Sequence, residues 1–275
     1  NIIEDDKTNN FNSILINIHG LGSHFQPIYN CDNELSNRIN MFKLANIKTF
    51  AIELSGHGKS DGIKGLINNY DDLLIDLKNL VQFINYKYPN KHIFLLGESL
   101  GGALSIKFSI LYKDLIKGVV LLAPLCDIPV KLKPSNLTKS ILKQISYIFP
   151  TYKMLGKKNI NGCLLPDFND NRSKNIFSYN DKLMLSTGRE CLFITEWIKK
   201  NSSDLDIPIL IFHAKNDNIT DFNASEKIFN DIKSKDKEFV PINYGHHSLL
   251  VPLCEFDIYP SIILSKICNW INFRL

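Results

Sequence analysis

Gly97-Glu98-Ser99-Leu100-Gly101 follows directly on the apolar run His92–Leu96 and opens a segment of helical pattern, Gly102–Tyr112. A strand, then Gly-x-Ser-x-Gly, then a helix is the arrangement that holds a nucleophilic serine on a tight, strained turn, its hydroxyl clear of the sheet. Side chains two residues to either side would collide there, which accounts for Gly97 and Gly101. The helix that begins beyond Ser99 aims its N-terminal dipole and free N–H groups at an oxyanion developing beside the serine.

Outward from this turn, apolar β-branched runs alternate with amphipathic patterns. Strands are expected at Ile14–Ile18, Lys48–Leu54, His92–Leu96, Lys117–Ala123, Pro208–His213 and Phe239–Asn243. Helices are expected at Asn33–Lys43, Tyr70–Tyr86, Gly102–Tyr112, Asn223–Lys233 and Pro260–Asn272. Such alternation implies an α/β fold: a mostly parallel sheet covered by helices on both faces. No strand is evident in residues 1–13 or between about Cys126 and Asp206. The second gap predicts an insertion above the sheet, since a structureless loop of that length is improbable. The expected organisation is therefore a core in two parts, 1–125 and 207–275, with a helical cap over 126–206.

Within that insertion, Leu137, Ile141, Leu142, Ile145, Ile148 and Phe149 share one stripe of a helix over Asn136–Phe149, stopped by Pro150. Seven lysines and no carboxylate lie between Asp127 and Asp167. The stripe is expected either to pack on the body or to roof an acyl pocket, with the basic side turned to anionic lipid.

The 275 residues, 44% apolar and 22% charged, are those of a globular protein with a large core, and a net charge of +4 gives no argument for nucleic acid. No apolar run approaches a membrane span. Six scattered cysteines (31, 126, 163, 191, 254 and 268) lack metal-ligand spacing and read as free thiols in a reducing compartment. The expectation is a cytoplasmic protein that needs no metal or cofactor, peripheral to membranes through its cap; any targeting segment would lie upstream of Asn1.

A serine hydroxyl needs an imidazole to take its proton and a carboxylate to orient that imidazole. In this topology they should follow in the order Ser, acid, His, each on a loop at a strand's C-terminal end. Asp217, after Pro208–His213, and His247, after Phe239–Asn243, fit. Asp127 competes as the acid and Asp206 more weakly, while His246 competes as the base. His213, inside a strand, reads as a packed core residue. The oxyanion would be held by the N–H groups of Leu100 and of Leu21, the latter in the loop His19-Gly20-Leu21-Gly22.

Taken together, these motifs resemble the α/β-hydrolase superfamily, in its monoacylglycerol lipase and lysophospholipase-like branch. His19-Gly20-Leu21-Gly22-Ser23-His24 resembles that branch's oxyanion motif, and Ser55-Gly56-His57-Gly58-Lys59-Ser60-Asp61-Gly62 its second fingerprint. The resemblance runs from about Asn12 to the end of the chain. It implies carboxylester hydrolysis on a single-chain lipid, with Ser99 as nucleophile, His247 as base, Asp217 as acid, and His19, Gly20, Gly22 and His24 against the substrate. A broad carboxylesterase or thioesterase shares this machinery, and a hydrolase fold kept only for binding is the remaining alternative.

Overall fold

The computed structural model describes residues 1–5, 10–25, 32–154, 174–253 and 257–275, with the side chains of 32–37 and 132 outside that description. Cys31, Lys157, Lys158, Cys163 and Cys254 fall outside it.

Strands whose residues are apolar on both sides of the pleat need cover on both faces, and the chain supplies it. β1 (Ile2–Glu4), β2 (Ser13–Ile18), β3 (Ile47–Ile52), β4 (His92–Glu98), β5 (Gly118–Leu122), β6 (Ile209–Ala214) and β7 (Lys237–Ile242) form one sheet in the order β1-β3-β2-β4-β5-β6-β7. All neighbours are parallel except β1, which runs antiparallel to β3 at the edge. That three-residue strand is the element missed at the N-terminus; it is too short to carry an alternating pattern.

Successive residues of β2 part to opposite faces. Ile14, Ile16 and Ile18 join a core beneath α2 (Tyr70–Lys87), α3 (Leu100–Leu111) and α6 (Phe222–Asp231). Leu15 joins a second core, with Phe42 from α1 (Asp32–Leu44) and Ile263, Ile267 and Ile271 from α7 (Tyr259–Asn272). Ile18 of β2 stands level with Gly97 of β4, and Glu98 with Leu122 of β5. The loops after these strands therefore emerge side by side at one edge, where ligands of open α/β sheets bind.

Between β5 and β6 run α4 (Asn136–Ile148) and α5 (Leu185–Asn201). Helix α5 was not legible because hydrogen-bonding residues, Ser186, Thr187, Arg189, Glu190 and Thr195, interrupt the apolar ones on the side it buries. The Arg189 guanidinium donates to Glu190, to the hydroxyls of Ser146 and Ser186 and to the carbonyl of Asn68 at 2.7–3.0 Å, fastening α4 and α5 to the segment before α2. Further along, Ile194 and Ile198 join the first core.

The apolar stripe on α4 faces the opposite way from the expectation. Leu137, Ile141, Ile145, Ile148 and Phe149 are 39–72% exposed. Only Leu142 of the stripe turns inward, onto a cavity that Lys139, Ser140 and Lys143 also line. Ser146 is the helix's buried residue, held by Arg189.

Candidate active site

Ser99 occupies the turn between β4 and α3 with φ 53° and ψ −113°, backbone strain for a residue with a side chain. Neighbouring strands fix it there: its N–H donates to the carbonyl of Leu122, and its carbonyl accepts from Leu125. A Cβ on Gly101 would stand 2.2 Å from the carbonyl oxygen of Ile18, and one on Gly97 would stand 2.5 Å from that of Gly101. Only glycine fits where the turn presses on the end of β2.

The loop after β2 lies against the serine. A Cβ on Gly20 would stand 3.0 Å from Ser99 Cβ and 3.6 Å from its Oγ. Leu21 lines the cavity together with Gly20, Ser99 and Leu100. Leu100 opens α3, so its N–H has no acceptor within the helix. His19, Gly22 and His24, expected against the substrate, are not among the lining residues. His19 instead braces the loop: its Nδ1–H donates to the carbonyl of Gly20 at 2.8 Å, and its Nε2 accepts from Leu54 N–H at 3.1 Å. The ring of His57, from the Gly-His-Gly turn, stands 5.2 Å from that of His19. Gly22 accepts from Tyr179 N–H, and His24 Nε2 bonds Ser178 Oγ at 3.2 Å, so both join the loop to the segment before α5.

Asp217 follows β6 with its side chain fully buried. Its Oδ1 accepts from the N–H groups of Ile219 and Thr220 at 2.8 and 3.0 Å. Its Oδ2 accepts from the Thr220 hydroxyl at 2.9 Å and from His247 Nδ1 at 2.7 Å. A third contact, which sequence reasoning missed, comes from His213 Nε2 at 3.2 Å. Burial opposes ionisation, yet the hydrogen bonds and charge of His213 and His247 outweigh it and hold this carboxyl far below the usual range. Two backbone N–H groups add to that preference.

The rival residues are engaged elsewhere. Asp127 is paired with Lys133 and Lys199, and these bonds, with the Ile128 N–H, overcome its burial and keep its carboxyl low. Asp206 pairs with Lys113 at the surface, 2.7 Å away. His246 is buried, its Nδ1 accepting from Ser248 N–H at 3.1 Å. His247 alone of the two bonds Asp217 and lines the cavity.

The cavity measures about 680 Å³, within the range of small-ligand sites. Ser99, His247, Gly20 and Leu21 are among its walls, and Ile128, Leu142, Met154, Leu183 and Leu192 make the lining largely apolar. Such a site can hold a hydrocarbon chain with one polar group at the serine. Among the described residues, no group of His, Cys, Asp or Glu is placed to hold a metal ion, and no helix is long and apolar enough to cross a membrane.

The chain matches the serine aminopeptidase S33 family over residues 10–252. It is 25% identical to a monoglyceride lipase of Mus musculus over 266 residues, covering 94% of this chain and 81% of that protein. It is 27% identical to a caffeoylshikimate esterase of Arabidopsis thaliana over 238 residues, covering 82% and 69% of the two chains. The crystal structure of a Paleococcus ferrophilus monoacylglycerol lipase superposes with a TM-score of 0.81 at 20% identity, covering 100% of this chain and 99% of that one. That likeness speaks for the fold.

Proposed function

The chain belongs to the serine aminopeptidase S33 family, and from that premise we propose that it is a serine carboxylester hydrolase acting on single-chain lipid esters of the monoacylglycerol type. The observation that carries the reading is that Ser99 and the Asp217-bound His247 open onto one apolar cavity. Its monoglyceride lipase relative supports the substrate class.

Ser99 Oγ attacks the ester carbonyl carbon while His247 Nε2 takes its proton, the imidazolium being stabilised by Asp217. The tetrahedral oxyanion is held by the N–H groups of Leu21 and Leu100. His247 then protonates the departing alcohol, leaving the acyl chain on Ser99. Water attacks that ester with His247 as base, and His247 returns the proton to Ser99 Oγ as the fatty acid leaves. Every proton is carried by this chain's own groups, so the steps call for no cofactor.

The cap serves the same reaction. The exposed ridge of Leu137, Ile141, Ile145, Ile148 and Phe149 lies on the helix whose other side lines the cavity, and Lys143 is exposed on the same helix. An apolar ridge beside basic groups suits the interface of an anionic lipid surface, from which the substrate would enter.

The test is fatty-acid release from monoacylglycerols and lysophosphatidylcholines of matched chain length, with Ser99→Ala as control. Ser99-dependent release from monoacylglycerols is expected. Hydrolysis of short activated esters alone would mark a general esterase, and equal turnover by Ser99→Ala would end the reading.

A further inference from the structure

His213 lies in β6, wholly buried, four residues before Asp217 and outside every step described above. Its Nε2 is 3.2 Å from Asp217 Oδ2 and 3.3 Å from Thr220 Oγ1; its Nδ1 is 2.9 Å from Ser225 Oγ on α6. A carboxylate offers only lone pairs, so the ring nitrogen facing it carries the proton. The other nitrogen, Nδ1, is hydrogen-bonded to the Ser225 hydroxyl. Beside Ser225, the Cys126 thiol is pushed up to about 12 by burial and stays protonated. Hydroxyl and imidazole thus form a buried line that ends at Asp217, and each bond polarises the next.

We propose that His213 is a positioning residue for the hydrolytic reaction, donating its Nε2–H to the side of Asp217 away from the cavity and thereby fixing how strongly that carboxylate draws on His247. The proposal rests on the hydrolase reading given above. Asp217 Oδ2 is shared by His247 at 2.7 Å, Thr220 at 2.9 Å and His213 at 3.2 Å. Removing one donor concentrates the oxygen's charge on those that remain. His247 then holds its proton more tightly, and the carboxylate is free to turn about its Cβ–Cγ bond. The other ionisable groups facing this line are Asp127 and Asp221, which raise the Cys126 thiol further, and Lys199, which opposes them. None of the three bonds His213. The ring of Phe222 stands edge-on to His213 at 5.7 Å.

A merely structural histidine would lower activity through stability alone. A positioning one moves the acidic limb of the kcat/KM profile, which reports protonation of the catalytic base in the free enzyme. In His213→Leu that limb is expected to move up by about half a pH unit or more, with kcat down about tenfold. His213→Gln carries an N–H to the same place and is expected to restore the wild-type limb. A limb that stays in place in a folded His213→Leu protein, or one that moves equally in both variants, overturns the proposal.

Nitrogen-15 spectra of the wild-type histidines supply an arm that needs no variant. His213 is expected to carry a proton on Nε2, and a ring protonated on Nδ1 alone would overturn the proposal. The two readings fail separately. Wild-type-like turnover by Ser99→Ala would remove the reaction, whereas an unmoved limb in an enzyme that still depends on Ser99 would remove only the role of His213.

Discussion

Gly101→Ala adds one methyl at the point where the serine turn meets the loop thought to hold the oxyanion. Gly101 is the second residue of α3 and has no positive φ, so alanine suits its backbone. Helix propensity alone would favour the change by about 0.8–1 kcal/mol. The added Cβ, however, stands 2.2 Å from the carbonyl oxygen of Ile18 and 2.7 Å from that of His19, where ordinary contact begins at 3.4 Å. Both obstacles are backbone, so the end of β2 and the elbow must part by about 1 Å. Overpacking of this kind costs about 1–3 kcal/mol. Set against the gain in propensity, the net loss is about 0–2 kcal/mol, a fall in Tm of at most about 8 °C for a chain of this size. Activity should suffer far more, because a displacement of about 1 Å at a reacting centre costs roughly a hundredfold. The assay is steady-state hydrolysis of an activated ester beside thermal unfolding of the same preparation. A kcat/KM within about threefold of wild type in a folded Gly101→Ala protein would refute the reasoning, since the loop after β2 could then not be the oxyanion site.

Asp217→Asn places an amide against His247 Nδ1, favours the wrong tautomer and should lower kcat by about 10⁴-fold. Asp127→Asn, whose partners are Lys133 and Lys199, should leave kcat within about threefold; a reversal of this order would make Asp127 the acid. His247→Ala should lose hydrolysis while His246→Ala retains most of it, as steady-state rates will tell. Because Asp217 is held ionised in the fold, its contribution to stability is fully present above the ordinary Asp value of about 4 and is lost as pH falls below it. The gap in unfolding free energy between wild type and Asp217→Asn should therefore shrink by up to about 1.4 kcal/mol per pH unit below pH 4. Denaturant melts at several pH values measure it, and a gap that does not change would mean Asp217 is not ionised in the fold.

Much of this was legible because its causes are local. Glycines two residues either side of Ser99 read directly as a turn with no room for side chains, and the strands read as strands because both faces of the sheet are covered. The order of Ser99, Asp217 and His247 followed from topology, and what favours one acid over the other is a distance: His247 Nδ1 lies 2.7 Å from Asp217, while Asp127 is paired with lysines. The pattern of α4 gave a helix with one apolar side, but amphipathicity does not say what that side meets. Here it meets solvent, because Ser146, on the opposite side, is the residue pinned by Arg189. Helix α5 escaped notice for the complementary reason: hydrogen-bonding residues, Ser186, Thr187, Arg189, Glu190 and Thr195, interrupt the apolar ones on its buried side. The loop histidines His19 and His24 read as substrate ligands in one dimension, and their hydrogen bonds to Leu54 and Ser178 become visible only in the fold. The spacing of four between His213 and Asp217 was present in the sequence, but only the turn after β6 folds one back onto the other.

The most direct measurement is stoichiometric labelling with a fluorophosphonate, followed by peptide mass mapping and assay of ester hydrolysis on the same sample. The account predicts one adduct per chain, on Ser99, with hydrolysis lost in proportion and labelling much slowed in His247→Ala. Hydrolysis that persists when Ser99 is fully modified, or an adduct on another residue that tracks the lost activity, would contradict it.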